Sequence, residues 1–530
     1  MTSAVDAKPG PVGATHQENP FLKWIVAVTV ATGAMLEVID TSIVNVALKD
    51  MQGNLGATLS EIGWVVTAYG IANAIMIPLS AWLGDFFGKK RYWIFSLIGF
   101  TLASALCGCA TTLGTLVAAR VVQGLFGGGL LAKANAILFE TFPPEEQGLA
   151  QAVFGIAVVV GPVIGPTLGG YITDNLGWRW IFFINIPVGI LAVTMSILFL
   201  GKMHQNAVSA KVDYLGILLL IAFVGSLQTV LEQGQDLDWF NSSFIVALAI
   251  TCVVSGILFV WREFAIDYPA VDLHVLRYRS LWSGSIYSFI LGAGLYGAMF
   301  AVPIFAQTFL KYTAQQTGML LMPGAIATAC MMPVLGRLNG KVDARLLIAI
   351  GATGTAVSMY MLSDLNPNTS ADSMFWGLLL RGASMAFMFL PMTLATIGPL
   401  PKQEISRASG FFNLTRQLGG SVGVASITFF VTQREDFHRQ VLIPNINPFN
   451  PTAQTYIAQF TQMFASRGYD PNSAKLAAFR MLDNMVNGQA AVQSFADVFH
   501  VVSIIFLLSM ILLFFLGSGK GRADVAADAH

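Results

Sequence analysis

Apolar stretches of about twenty residues recur along this chain from Trp24 to Leu516, separated by shorter polar segments. A helix rises 1.5 Å per residue and must cover roughly 30 Å of hydrocarbon, so each stretch has the length of one membrane crossing. Fourteen stretches qualify, at about 24–48, 63–84, 92–111, 114–139, 149–173, 180–200, 214–232, 242–262, 282–309, 317–337, 345–363, 374–398, 410–432 and 498–517. A helix satisfies its backbone polar groups within a single crossing, and the pattern therefore predicts an all-α polytopic membrane protein. Composition agrees: of 530 residues, 55% are hydrophobic and 11% charged, half the charge of an ordinary soluble protein. With 29 basic and 29 acidic residues the net charge is zero. No Lys/Arg cluster is interleaved with aromatics, which removes nucleic acid from the expected partners.

Basic residues near membrane ends favour the cytoplasm. With the amino terminus inside, seventeen Lys and Arg fall in cytoplasmic segments, from Lys8 and Lys23 through Lys202 and Lys211 to Lys520 and Arg522. The short outer loops hold Lys49, Arg179 and Lys311. This asymmetry predicts both termini in the cytoplasm and an even number of crossings. The polar segment 1–23, with Pro9, Pro11 and Pro20, lacks the basic start and short apolar core of a secretory signal and reads as a retained, loose tail. Cys107, Cys109, Cys252 and Cys330 all lie in apolar runs and read as small core residues, with no metal site expected.

The halves repeat. "AWLGDFFGKKR" closes the second crossing and "GRLNGKVDARL" the tenth, 255 residues later, each a small-residue turn followed by a basic corner. Arg120 in the fourth crossing and Arg381 in the twelfth lie at similar depth, and "GPVIGPTLGG" in the fifth corresponds to "QLGGSVGVAS" in the thirteenth. The expected organisation is a tail 1–23, a six-helix bundle 24–200, inserted helices seven and eight within 201–281, a second six-helix bundle 282–517 that includes an outer loop 433–497, and a cytoplasmic tail 518–530. Two such repeats rocking about a central site make a transporter.

Ionisable groups at bilayer depth cost at least about 2.5–3.5 kcal/mol on insertion scales and mark function. They are Glu37 and Asp40 in the first crossing, Arg120 and Lys133 in the fourth, Arg381 in the twelfth and Arg416 in the thirteenth. Glu37 and Asp40 are three residues apart on one helix face, where two carboxylates in low dielectric compete to ionise, so at least one is expected to carry a proton. Counting depth from the outer ends puts Asp40 near 12 Å and Arg120 near 9–10 Å, close enough to pair if their helices adjoin; that pair reads either as part of the coupling machinery or as a static packing contact. Lys133 lies deeper, which argues against a direct bond to Glu37. It reads either as a cavity charge for an anionic substrate or as a lysine snorkelling toward the cytoplasm. Arg416 serves either packing or substrate. Gly161, Gly165, Pro166, Gly169 and Gly170 form a close-packing, bendable string. Asp85, Gly88 and Lys89 make a turn at the membrane face in which Asp85 can cap or pair. In the outer loop, Tyr456, Phe460 and Phe464, then Leu476, Phe479, Leu482 and Val486, form helical stripes that need a cover, either the protein's own rim or a partner.

At these residues the sequence resembles the major facilitator superfamily, within it the fourteen-helix drug:proton antiporter branch of the EmrB/QacA type. "VIDTSIVNVAL" looks like that branch's helix-one motif, with its Asp at Asp40; "LVAARVVQG" matches the helix-four motif at Arg120, Gln123 and Gly124; the glycine-proline string matches its antiporter motif. "WRWIFFINIPVG", "LEQGQDLDW" and "NPFNP" are similar to the EmrB subgroup. Ala81, Phe86 and Lys49 depart from the family pattern, Phe86 standing where the helix-two motif carries an Arg, and Lys133 sits where the family is apolar. The resemblance implies export of hydrophobic or amphipathic compounds from a bacterial inner membrane against proton entry. A proton gradient is then the energy source, and no cofactor is needed. Asp40, Glu37 and Arg120 would couple the proton, and Gln123, Lys133, Arg381 and Arg416 would be cavity candidates. It further implies a periplasmic adaptor (EmrA-like) and an outer-membrane channel (TolC-like). Dedicated export of a metabolite, siderophore or lipid is the alternative, followed by a non-transporting membrane sensor. No triad, metal spacing or P-loop suggests an enzyme.

Overall fold

The computed structural model describes residues 20–201, 212–364, 366, 369, 371–447 and 449–516. The tail before residue 20, the tail beyond residue 516, and the loop residues Lys202 and Lys211 lie outside the described residues. Within them the chain is helical and has no strand. The first half comprises α1 (Pro20–Leu55), α2 (Leu59–Phe87), α3 (Lys89–Cys109), α4 (Leu113–Gly127), α5 (Leu130–Thr141), α6 (Pro144–Leu176), α7 (Trp180–Phe183) and α8 (Asn185–Phe199). Two inserted helices follow, α9 (Tyr214–Gln233) and α10 (Ser243–Ala265). The second half comprises α11 (Arg279–Thr308), α12 (Ala314–Leu338), α13 (Ala344–Leu362), α14 (Ala371–Ile397), α15 (Ile405–Leu442), α16 (Pro451–Ser466) and α17 (Pro471–Ser509).

Among the described residues twelve helical segments are long and apolar enough to cross a membrane, α4 with α5 and α7 with α8 each acting as one segment. Helices α11 and α15, 30 and 38 residues long, occupy the other two predicted crossings, so the architecture is compatible with fourteen. Helix ends follow local chemistry. On one face α2 and α12 start with capping boxes, Thr58 with Glu61 and Thr313 with Gln316, which satisfy otherwise orphaned N–H groups. On the opposite face they stop at turns where Gly88 (φ 90°) and Gly340 (φ 75°) adopt a conformation costly for side chains that carry a Cβ. That second face bears Lys89, Lys90, Arg91, Lys341 and Arg345 and is called the basic face below.

Helix α6 runs between the halves, against α1 on one side and α12 on the other. Its glycines make this possible. A methyl group on Gly161, Gly165 or Gly169 would fall within 3 Å of Val38, Ser42 or Ile43 on α1, while Gly148 touches the backbone of Gly336 on α12 and Gly170 touches Ala314. The seam therefore extends from the basic face to the far face. Helices α11 and α15 form a matching seam: methyls on Gly419 and Gly423 would meet the backbone of Phe289 and Ala293. Pro162 and Pro166 lie inside α6, which nevertheless continues from Pro144 to Leu176.

Four expectations need correction. The fourth crossing is two helices, because Gly127, Gly128 and Gly129 interrupt it and Gly129 is left-handed (φ 80°). The sixth is likewise divided at Ile184. The thirteenth and fourteenth helices are longer than their apolar runs 410–432 and 498–517 and reach into the outer segment 433–497: α15 runs on to Leu442, roughly 57 Å at 1.5 Å per residue, and α17 begins at Pro471. Arg434–Asp497 (2.6 Å) and Arg439–Asp483 (3.0 Å) tie these extensions together, and Ala453, Leu482 and Val486 are buried among α15, α16 and α17, so the chain covers part of its own stripe. Tyr456, Leu476 and Phe479 stay exposed. Finally, only Cys107 is a core cysteine; Cys109 and Cys330 are exposed and Cys252 is half-buried, since a membrane helix is as apolar on its lipid side as inside.

Candidate functional site

The divided helices are where polar chemistry enters the bundle. Asp40, at 0% exposure, receives three donors: Arg120 Nη1 to Oδ2 at 2.6 Å, and Gln123 Nε2 and Asn185 Nδ2 to Oδ1, both at 2.8 Å. Asn185 opens α8, so the interruption of the sixth crossing aims an amide at this carboxylate. Arg120 also donates through Nε to Val65 O (3.0 Å) and through Nη1 to Gln123 Oε1 (2.7 Å), and Tyr69 lies 4.1 Å below its guanidinium. Ser104 Oγ accepts from Gln123 (2.7 Å) and Asn185 (3.2 Å). The expected partnership of Asp40 with Arg120 is thus present inside a closed network, in which both the charge and the hydrogen-bonding capacity of the carboxylate are met.

Glu37 is held differently. Asn73 Nδ2 donates to Oε1 at 2.8 Å, and the Leu131 N–H donates to Oε2 at 3.0 Å. Leu131 is the second residue of α5, whose first N–H groups have no helical partner, so the triple-glycine break presents a helix amino terminus to a carboxylate. Both direct partners are neutral. Lys133 and Arg416 act on Glu37 through space from α5 and α15, and α15 belongs to the second half. Glu37 therefore sits where the two bundles meet.

Lys133 makes no bond to Glu37. Its Nζ donates to Ser96 Oγ at 2.8 Å and lies 3.9 Å from the Tyr92 ring centroid, with the side chain buried toward α3; the snorkelling alternative is not realised. It also borders a narrow crevice shared with Ser80, Lys89 and Ser406, which joins α2, α3, α5 and α15. Arg416 is buried, donates to Asn413 Oδ1 and stands 4.9 Å from the Phe389 ring. Arg381 is buried on α14 and makes no hydrogen bond or ion pair among the described residues. At the basic turn Asp85 is buried, Lys89 pairs with Glu140 at 2.5 Å, and Lys90 donates to the carbonyls of Ile197 and Leu200 that end α8. Phe86 stacks on Trp82 (5.3 Å), an aromatic pair on the exposed side of the turn.

Asn73, Ser104, Asn185 and Tyr69 were not singled out from sequence. An uncharged amide costs little in an apolar run and leaves no mark in a charge count. The glycine triplet 127–129 was the readable signal for the α5 amino terminus.

Comparison with known proteins places the chain. A family model described as Major Facilitator Superfamily matches residues 30–424. The multidrug export protein EmrB of Escherichia coli K12 is 33% identical over 96% of this chain and 98% of its own length. The EmrB of Haemophilus influenzae is 35% identical over 83% and 86%, and the fatty acid resistance protein FarB of Neisseria gonorrhoeae 33% over 92% and 94%. Among solved structures the human organic anion transporter MFSD10 has a similar fold, with a TM-score of 0.58 at 14% identity, over 94% of this chain and all of that one. A full-length helical fold and near full-length similarity at a third of positions lead to one conclusion: this chain is a member of the Major Facilitator Superfamily.

Proposed function

We propose that the protein is a multidrug efflux transporter of a bacterial inner membrane, with both termini in the cytoplasm, exporting hydrophobic or amphipathic compounds in exchange for protons. The carrying observation is the division of labour on α1: Asp40 is charge-paired within a closed network, whereas Glu37, one turn away, has only neutral direct partners at the bundle junction. A proton arriving at Glu37 weakens the bonds from Asn73 and Leu131, because a carboxylate accepts more strongly than a neutral carboxyl. That loosens α1 from α2 and α5 while the Asp40–Arg120 network keeps α1 registered on α4 and α8. The glycine seams of α6 against α1 and α12 let these backbones slide in close contact. The relatives named for multidrug export support this reading.

The test is substrate-driven proton flux in proteoliposomes. Glu37→Gln with Asp40→Asn abolishes the flux and leaves a folded, monodisperse protein; unchanged flux refutes the assignment. A second reading, export of one acidic amphiphile class, is favoured by the buried cations Arg381, Arg416 and Lys133 and by the similarity to FarB. It predicts a narrow substrate profile that fatty acids compete for. We place docking of an EmrA-like adaptor, leading to a TolC-like channel, on the exposed stripe of α16 and α17.

A further inference from the structure

The inserted helices bring an ionisable group for which the α1 chemistry has no use. Glu232 stands at the far-face end of α9, where α9 packs against α2 of the first half and α15 of the second. Its carboxylate approaches α2 so closely that a methyl on Gly70 would lie 3.0 Å from Oε1. One donor reaches it, Gln228 Nε2 from one turn earlier on α9. The polar contacts extend to both neighbouring helices. The Gln228 amide also donates to Ser421 Oγ on α15 at 2.7 Å, and Thr67 Oγ1 accepts from Gln233 Nε2 at 3.0 Å. Gln228, Gln233 and Thr67 are buried. Polar contacts thus tie α9 to both neighbours, to α15 through Gln228 and to α2 through Gln233, with the Glu232 carboxylate held between them by Gln228 and set against Gly70 of α2.

We propose that Glu232 is the central acceptor of a clasp by which the inserted helix holds the far-face ends of the two bundles together, and that a proton taken up there from the far side releases it. This rests on the reading of the protein as an alternating-access transporter. Opening the far face moves Thr67 and Ser421 apart, since they belong to different bundles, so the bonds that Gln233 and Gln228 make to them from α9 cannot all survive a cycle, and Glu232 sets how firmly the Gln228 amide is held in place for its bond to Ser421. The strength of the clasp depends on charge. Hydrogen bonds to an ionised acceptor are about twice as strong as neutral ones, so the carboxylate form favours the clasped state and the protonated form the open one. No basic group competes for the carboxylate. Neither α9 nor the helices packed on it, α2, α10 and α15, place a Lys, Arg or His within ion-pair distance of Glu232 among the described residues. By linkage, a site that binds its proton more tightly in the open state draws the population to that state as far-side pH falls.

Spin labels test the clasp directly. Asn54 at the end of α1 and Gln433 on the α15 extension are exposed on opposite bundles at the far face. In a cysteine-free background, N54C and Q433C are labelled, placed in lipid nanodiscs, and their separation is measured by electron–electron double resonance at about pH 8 and about pH 5. Glu37→Gln with Asp40→Asn is present throughout, so that helix-one titration cannot contribute. The long-distance population is expected to rise about threefold on acidification, and adding Glu232→Gln, which keeps an accepting oxygen but cannot titrate, is expected to remove that rise. Gln228→Leu, which deletes the link to α15 and leaves the carboxylate, should show the long-distance population already at pH 8. A pH response that survives Glu232→Gln, or a Gln228→Leu distribution identical to the parent at pH 8, overturns the clasp. Failure of the proton-flux experiment on helix one would instead remove the function reading, and the distance measurement separates the two.

Discussion

Arg120 on α4 and Arg381 on α14 are both buried guanidiniums in the middle of a bundle, each on the fourth crossing of its half, yet they live in opposite electrostatic circumstances. Arg120 bonds to a carboxylate, an amide and a carbonyl and stacks on Tyr69. Arg381 has no such partner among the described residues. The second half has no carboxylate on α11 to match Asp40 on α1. The two bundles thus share a scaffold and differ in chemistry. The first is wired to hold and exchange charge, and the second carries uncompensated positive charge toward its interior, with Arg416 reaching electrostatically to Glu37 across the junction. A repeat can keep its helix-packing code while one copy alone retains the acid that makes an arginine inexpensive to bury.

The widest expected contrast comes from removing each arginine. Arg120→Met leaves Asp40 buried with its countercharge gone and costs about 3–5 kcal/mol, the range for breaking a buried pair on one side. Arg381→Met removes a charge that has no partner to strand, and we expect no loss of stability. Thermal unfolding in detergent, with Asp40→Asn added to Arg120→Met as a rescue, checks both. If both arginine variants lose stability equally, Arg381 has a partner the comparison has missed, and the contrast between the halves falls.

The glycine seams sharpen the comparison at the next level. Gly165→Ala puts a methyl 1.9 Å from Ser42 Oγ, a side-chain atom that can rotate, whereas Gly419→Ala puts one 2.1 Å from the carbonyl oxygen of Phe289, which cannot move without its helix. We expect Gly419→Ala to cost about 2–3 kcal/mol, the upper part of the range for overpacking, and Gly165→Ala about 1–2 kcal/mol once Ser42 is also Ala, because the Oγ contact is then gone while the Cβ contact at 2.8 Å stays. Unfolding midpoints and far-face distance distributions of the three variants provide the measurement. Equal losses would mean that the seams yield by helix displacement in both halves.

Much of this was readable in advance, for a reason that also sets its limit. The bilayer demands long apolar runs and penalises charge, so the crossings and the six intramembrane ionisable groups stood out, and simple rise-per-residue depth brought Asp40 to Arg120. Whatever the bilayer does not penalise left no trace. Asn185 and Asn73 are neutral, so the completion of both carboxylate sites was invisible. Glu232 lies at the end of an apolar run, where a carboxylate looks like loop chemistry, although the fold brings α2 and α15 around it. The α15 and α17 extensions were hidden because a water-exposed helix needs no apolar run, and only the spacing of Leu482 and Val486 hinted at packing between helices.

The smallest effect is predicted where the halves agree. Gly88 and Gly340 end corresponding crossings at the basic face, both at positive φ, and both feed a helix that begins within four residues. A Cβ held at such a sparsely populated positive φ costs roughly 1–3 kcal/mol. Gly88→Ala and Gly340→Ala should therefore lose about 1–2 kcal/mol each, the lower part of that range, with no difference in proton flux between them. The prediction is a control on the asymmetry: these turns are geometric devices with no charge in the glycine itself, so the lack of an acid in the second half should not affect them. Should Gly88→Ala alone abolish flux at unchanged stability, the turn after α2 would be acting through the neighbouring Asp85 and Lys89. The functional asymmetry would then extend from the buried carboxylates to the basic face of the membrane.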